Sequence, residues 1–281
     1  MRGWARWSGG LGYACLLMLV AGALGNAAAL EDMDAALRLY QESEFSKARR
    51  IAAEHLGGEP VAKLVYHLCQ VHDAKEQDVA GGLAGLRALY EDPTVRSRHG
   101  AVWAEAALSY ARTVQLFRIR SMHTEYADFD VRKVCRDIIA AVPDGVHACT
   151  AATYLAETYL QSEQKAQQDA GFRLVEGFLA AFTGPARDTV PVHLYIEGYY
   201  VSLRGDYGAS FRHLKRAYEL GISKELLKRV TLFRMARTCE VKLARSSEAE
   251  AYYRQFLGLF PNDRLTPIAR RYLAGLTAKE K

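Results

Sequence analysis

The sequence predicts an all-α protein, a stack of antiparallel helix pairs with about a dozen helices in all. Three observations carry this. Residues 191–220, PVHLYIEGYYVSLRGDYGASFRHLKRAYEL, read as two helices broken at Arg204-Gly205-Asp206, with Leu194, Gly198 and Val201 on the first and Tyr207, Phe211, Leu214 and Ala217 on the second. The same layout recurs elsewhere in the chain. Only seven prolines occur in 281 residues. Ala/Leu/Tyr/Arg-rich runs favour helix, and no alternating apolar–polar run with a hairpin turn is present.

The N-terminus is a separate object. Arg2 and Arg6 precede an uncharged apolar run, Leu11–Gly25, and Ala27-Ala28-Ala29 follows. A basic start, an apolar run of this length and a small-residue site predict a secretory signal peptide over 1–29, cleaved after Ala29, leaving 30–281 as one helical-repeat domain. The rival reading is an uncleaved anchor over Leu11–Leu30. Gly12-Tyr13-Ala14 before Cys15 makes a poor lipoprotein signal.

In order, Glu31–Gln41 is helical, with Met33, Leu37 and Tyr40 on one face. Ser46 is placed to N-cap Lys47–Leu56, and Pro60 to open the third helix, where a missing amide proton costs nothing. The fourth helix, about Val79–Tyr90, holds Gly81, Gly82 and Gly85. Each glycine costs up to ~1 kcal/mol against alanine in a helix interior, so these glycines are expected to face a close neighbour. Ser97–Arg120 reads as one long helix, Met122–Phe129 is ambiguous, and Val131–Val142 stops at Pro143. His147–Gln161 follows, with Asp144 placed to cap it. The polar run Gln161–Asp169 is an exposed turn or a solvated first turn before Ala170–Phe182. Then come the pair in 191–220, Ser223–Leu243, Ser247–Phe260 and Leu265–Leu276, with a frayed tail.

Charge gives little direction. Lys+Arg is 37 against 32 Asp+Glu; removing Arg2 and Arg6 leaves 35 against 32, a mild excess that does not argue for nucleic acid. Four cysteines remain after cleavage: Cys69, Cys135, Cys149 and Cys239. Exported chains permit disulfides, and Cys135 with Cys149 flank the Pro143-Asp144-Gly145 break; the alternative is four buried small hydrophobes. No C-x-x-C spacing points to zinc.

No catalytic constellation stands out. His72-Asp73 and Glu54-His55 lack metal-ligand spacing. Glu125, Asp128 and Asp130 fit a capping acidic turn better than an EF-hand loop, which needs a glycine and a final glutamate. No nucleophile elbow, phosphate loop or dinucleotide fingerprint is present. No metal, cofactor or catalytic residue is expected.

With Gly205-Asp206-Tyr207 as the inter-helix turn, Leu194, Gly198, Val201, Leu214 and Ala217 stand at the spacings of the tetratricopeptide repeat, which the chain resembles. Ser210 departs from the family's alanine and Ile222 from its proline. Phe233, Ala236, Ala249, Tyr253, Phe256 and Pro261 repeat the pattern, with Arg237 and Ala244-Arg245 as departures. Ala36, Leu39, Phe45, Ala48 and Pro60 repeat it again, and Pro93 follows Pro60 with Ala88 in register. The likeness is closest over 191–261, looser over 31–93 and loosest over 94–190. The helix endings FLAAF and FLGLFP are also similar to those of helical-repeat modules of bacterial envelope assembly proteins.

The resemblance implies a right-handed solenoid whose concave groove is lined by the first helix of each pair. Carried onto the matched positions, it puts Tyr195, Tyr199, Arg234 and Thr238 in that groove, with His67 and Tyr40 as weaker additions. The core keeps Tyr207, Phe211, Tyr253 and Phe256, while Ala48, Gly198, Ala217 and Ala249 set helix approach. The implied function is an exported, non-enzymatic scaffold binding a protein or peptide in the periplasm or at the envelope. Two alternatives are a helical glycan-binding or accessory domain of an envelope hydrolase, by analogy with lytic transglycosylases, and a structural subunit of an envelope complex.

Overall fold

The computed structural model describes residues 27–73, 78–119 and 129–279. Among them are fourteen α-helices, one short 3-10 turn and no strand. They fall into two compact units that divide between Thr158 and Tyr159.

The first unit begins with α1 (Ala27–Gln41), α2 (Phe45–Glu54), α3 (Pro60–His72) and α4 (Val79–Glu91), followed by α5 (Pro93–Arg98), α6 (Gly100–Ile119), α7 (Val131–Ala141) and most of α8 (Val146–Leu160). Consecutive helices from α1 to α4 pack on one another, and α6 packs on α3, α4, α5 and α7. Met33, Leu37, Leu64, Leu68, Leu83, Leu86 and Trp103 are buried. The Trp103 indole N–H donates to the Tyr90 carbonyl at 2.8 Å, so the ring's one polar atom is satisfied inside the core.

The second unit holds α9 (Lys165–Ala181), the 3-10 turn Ala186–Thr189, α10 (Val190–Arg204), α11 (Tyr207–Leu220), α12 (Glu225–Val241), α13 (Ser246–Leu259) and α14 (Thr266–Lys279). Each α-helix from α9 packs on the next. Phe211, Leu214, Leu232, Met235, Tyr253, Phe256 and Leu276 form one core cluster drawn from α11 to α14. Ala48, Ala217 and Ala249 are fully buried, as packing positions should be, while Tyr207 is only half-buried.

The helix pair over 191–220 forms where its pattern puts it. Gly205 ends α10 in the left-handed region at φ +63, where glycine carries no Cβ penalty. The Asp206 carboxylate then accepts the Ala209 amide at 2.8 Å and caps α11.

Several local expectations change. Ser46 does not cap α2: the chain turns at Ser43, φ 65, and α2 starts at Phe45. The Ser46 hydroxyl instead donates to Asp73 at 2.7 Å. Residues 97–120 are not one helix. Asp92 accepts the Thr94 and Val95 amides at 2.7 and 3.2 Å, Pro93 takes the first helical position, and α5 runs to a break at His99. The polar run after Gln161 is the solvated start of α9, from Lys165.

Of the three glycines of α4, Gly82 and Gly85 face α3. A Cβ on Gly82 would stand 2.7 Å from Val71 Cγ2, and one on Gly85 would overlap the His67 ring; Gly81 sits over its own cap, Asp78. Asp130 caps α7 through the Lys133 amide at 3.1 Å, whereas Glu125 and Asp128 lie outside the described residues. All four described cysteines are buried free thiols, and burial pushes the Cys135 thiol up to about 12. The signal-peptide stretch lies outside the described residues up to Asn26, and α1 includes Ala27–Ala29. No described helix is long and apolar enough to cross a membrane.

Candidate functional site

The second unit brings the Tyr195–Tyr199 pair together and turns Arg234 away from it. Tyr195 and Tyr199 are one helical turn apart on α10, so their side chains lie over each other. Their rings are 5.2 Å apart and the Tyr195 hydroxyl donates to the Tyr199 hydroxyl at 3.2 Å. Both are half-buried. Leu203, 37% exposed, continues the stripe one turn on.

Arg234 and Thr238 are likewise one turn apart on α12, and Val241, 53% exposed, extends their stripe. The Arg234 guanidinium, however, is committed to Glu197 on α10. Nη1 donates to Oε1 at 2.5 Å and Nη2 to Oε2 at 2.8 Å. Ser210 of α11 donates to Oε2 at 3.1 Å. Glu197 itself is only 3% exposed, so the fork neutralises a buried carboxylate. At about 100° per residue, Glu197 stands roughly opposite Tyr195 around α10. The arginine head therefore does not join the tyrosine pair. Thr238 is half-buried on α12.

His67 belongs to the first unit. Its Nδ1 lies 2.8 Å from Gln70 Oε1, and its ring fills the space above Gly85. It is a packing residue between α3 and α4. Tyr40 is 6% exposed and stacks edge-on against Phe45, at 5.4 Å.

Sequence reasoning missed a second polar network. Glu176 of α9 accepts from the Tyr200 hydroxyl and lies 3.1 Å from Nε2 of His213. Nδ1 of His213 lies 2.9 Å from Nδ1 of His193. The hydrogen bonds from His213 and Tyr200 hold Glu176 down near 2 against its burial. Burial, then His213 and Arg216, hold His193 near 4. Burial, then Glu176, pushes Tyr200 far up. At neutral pH the three are therefore carboxylate, neutral imidazole and phenol.

These polar ties share a spacing. Glu176–His213, Glu197–Arg234 and Tyr218–Gln255 are each 37 residues apart, Asp169–Arg204 is 35, and Arg229–Asp263 is 34. Acidic or amide residues standing 34 to 37 positions from a basic or phenolic residue were the sequence signal available. Among the described residues no cluster of three or more histidine, cysteine or acidic side chains could hold a metal ion. The sequence matches no protein-family model and no curated protein.

Proposed function

We propose that the chain is an exported, non-enzymatic scaffold that holds a protein or peptide segment along the first helices of tetratricopeptide-like pairs. The single observation that carries this is the Tyr195–Tyr199 pair. Two aromatic rings pack at 5.2 Å, tilted by 44°, on a half-buried face, and exposed Leu203 extends it. Rigid aromatics with a polar tip beside exposed apolar side chains are typical anchors for a partner. The polar ties at 34 to 37 residues support a repeat of about that period, which right-handed solenoids of antiparallel pairs have. Export to the periplasm or envelope rests on the N-terminal sequence.

The test is affinity capture from the envelope fraction with residues 30–281, beside Tyr195→Ala/Tyr199→Ala. A partner held by the wild type and lost by a variant with unchanged melting supports the reading. Capture of nothing by the wild type overturns it. Arg234 is left intact in this experiment, because its loss would uncover a buried carboxylate.

A further inference from the structure

The Glu176–His213–His193 chain contains none of the residues of the proposed groove, and it ends at a cavity. Glu176 is its solvent end, with a side chain 49% exposed. His213, 7% exposed, is the buried middle, stacked under the Tyr200 ring at 5.2 Å and 21°. His193 is the far end and lines a cavity of about 240 Å³ together with Arg216, Thr189, Leu179 and Phe182. Arg216 is exposed and makes no hydrogen bond or ion pair among the described residues. Among the described residues the one hydrogen bond of His193 runs through Nδ1, which leaves its Nε2 unbonded there.

The geometry leaves two proton arrangements once any added charge rests on His213, against the Glu176 carboxylate, and not on His193, which is buried beside Arg216. Ionised Glu176 accepts from Nε2–H of His213 in both. The two Nδ1 atoms, 2.9 Å apart, share one proton, because two donors cannot face each other. With that proton on His193, Nε2 of His193 is a bare lone pair. With it on His213, that ring is an imidazolium against the Glu176 carboxylate, and neutral His193 carries its proton on Nε2. The second arrangement holds one proton more than the first, supplied by solvent, and it makes His193 a hydrogen-bond donor to the cavity. The charged groups acting on His193 are His213 and Arg216 from α11 and Glu176 from α9. In the 3-10 turn, Asp188 interacts with Arg187.

An anion at Arg216 selects the second arrangement, because it needs a donor at Nε2 and tolerates a cation behind it. The cavity corresponds to about eight water volumes at ~30 Å³ each, and Leu179 and Phe182 give it an apolar side. We propose that it binds a small monocarboxylic acid. The carboxylate lies between the Arg216 guanidinium and Nε2–H of His193, the apolar tail lies on Leu179 and Phe182, and one proton is taken up by His213. This site stands whether or not the scaffold reading does.

The test is calorimetric titration of the full chain with sodium butyrate at about pH 5.5 and about pH 7.5, where imidazoles titrate. Two buffers of different ionisation heat count the protons, and imidazole ¹⁵N spectra report the tautomers. One proton taken up per butyrate is expected, with affinity falling by up to about tenfold per pH unit as pH rises, and the His193 proton moves from Nδ1 to Nε2. Arg216→Ala, an exposed and unpaired position, weakens butyrate by about tenfold or more with unchanged melting. Glu176→Gln keeps butyrate binding but removes its pH dependence. Butanol does not bind. Absence of both heat and imidazole shifts at millimolar butyrate overturns the proposal, as does binding without proton uptake or binding unaffected by Arg216→Ala. Preference for inorganic phosphate over butyrate overturns the assignment to a carboxylic acid.

Discussion

Oε2 of Glu197 accepts from Nη2 of Arg234 at 2.8 Å across 37 residues of sequence, and the two side chains are 4% and 46% exposed. A buried carboxylate thus owes its neutralisation to a side chain two helices further on. Removing one partner of a fully buried pair costs 3–5 kcal/mol; with the arginine head half in solvent, Arg234→Ala is expected to cost about 2 kcal/mol. Replacing both, Glu197→Met with Arg234→Met, is expected to recover most of that loss, because the penalty comes from the stranded charge. Urea midpoints with unchanged slopes measure both.

Gly85 on α4 leaves room for the His67 ring. Gly85→Ala gains helix propensity of up to ~1 kcal/mol but forces the ring out, and overpacking of this kind costs about 1–3 kcal/mol. A net destabilisation is expected. In the Gly85→Ala/His67→Ala double variant the two effects are non-additive, the second substitution relieving the clash made by the first. Thermal unfolding of the four proteins decides it.

The turn between α10 and α11 rests on two residues. Asp206→Ala removes the cap on the Ala209 amide and is expected to cost about 1 kcal/mol. Gly205→Ala puts a Cβ on a backbone at φ +63 and is expected to cost about 1–2 kcal/mol. No heavy atom lies within 4 Å of that Cβ, so the cost is conformational, and Gly205→Asn should be milder than Gly205→Ala. Denaturant midpoints give the order.

Acidification should destabilise the second unit in two stages. His193 is held near 4 by burial, His213 and Arg216, against about 6.5 in the unfolded chain. Between those values the unfolded state binds the proton first, so stability falls as pH drops from about 6.5 to about 4, by at most about 1.4 kcal/mol per pH unit. Glu176 is held near 2 by His213 and Tyr200. Its contribution is complete above the unfolded value of about 4.3 and is lost as pH falls toward 2. His193→Asn is expected to flatten the first stage and leave the second. Urea midpoints across that pH range test this.

Much of the fold was legible. Gly205-Asp206 announces both a left-handed stop and a cap, so α10 and α11 end and begin where the pattern puts them. Pro60 opens α3 as expected. Ser46 misled because a hydroxyl near a helix start can serve a distant acceptor equally well, here Asp73. The break at His99 was hidden because Asp92-Pro93 opens a short helix of its own ahead of the long one. Of the expected groove residues, Tyr195 and Tyr199 meet because they are four apart on one helix. Arg234 does not join them, since its partner, Glu197, is set by how α10 and α12 face each other.

The sequence by itself determined most of the helices and their stops and the Tyr195–Tyr199 spacing, because periodicity, caps and glycine act over a few residues. Only the tertiary structure decided which side chains share a proton or a charge. His193, His213 and Glu176 come from three helices, and no local pattern couples them. Their meeting depends on helix register to within an ångström or so, the range over which a hydrogen bond exists or does not.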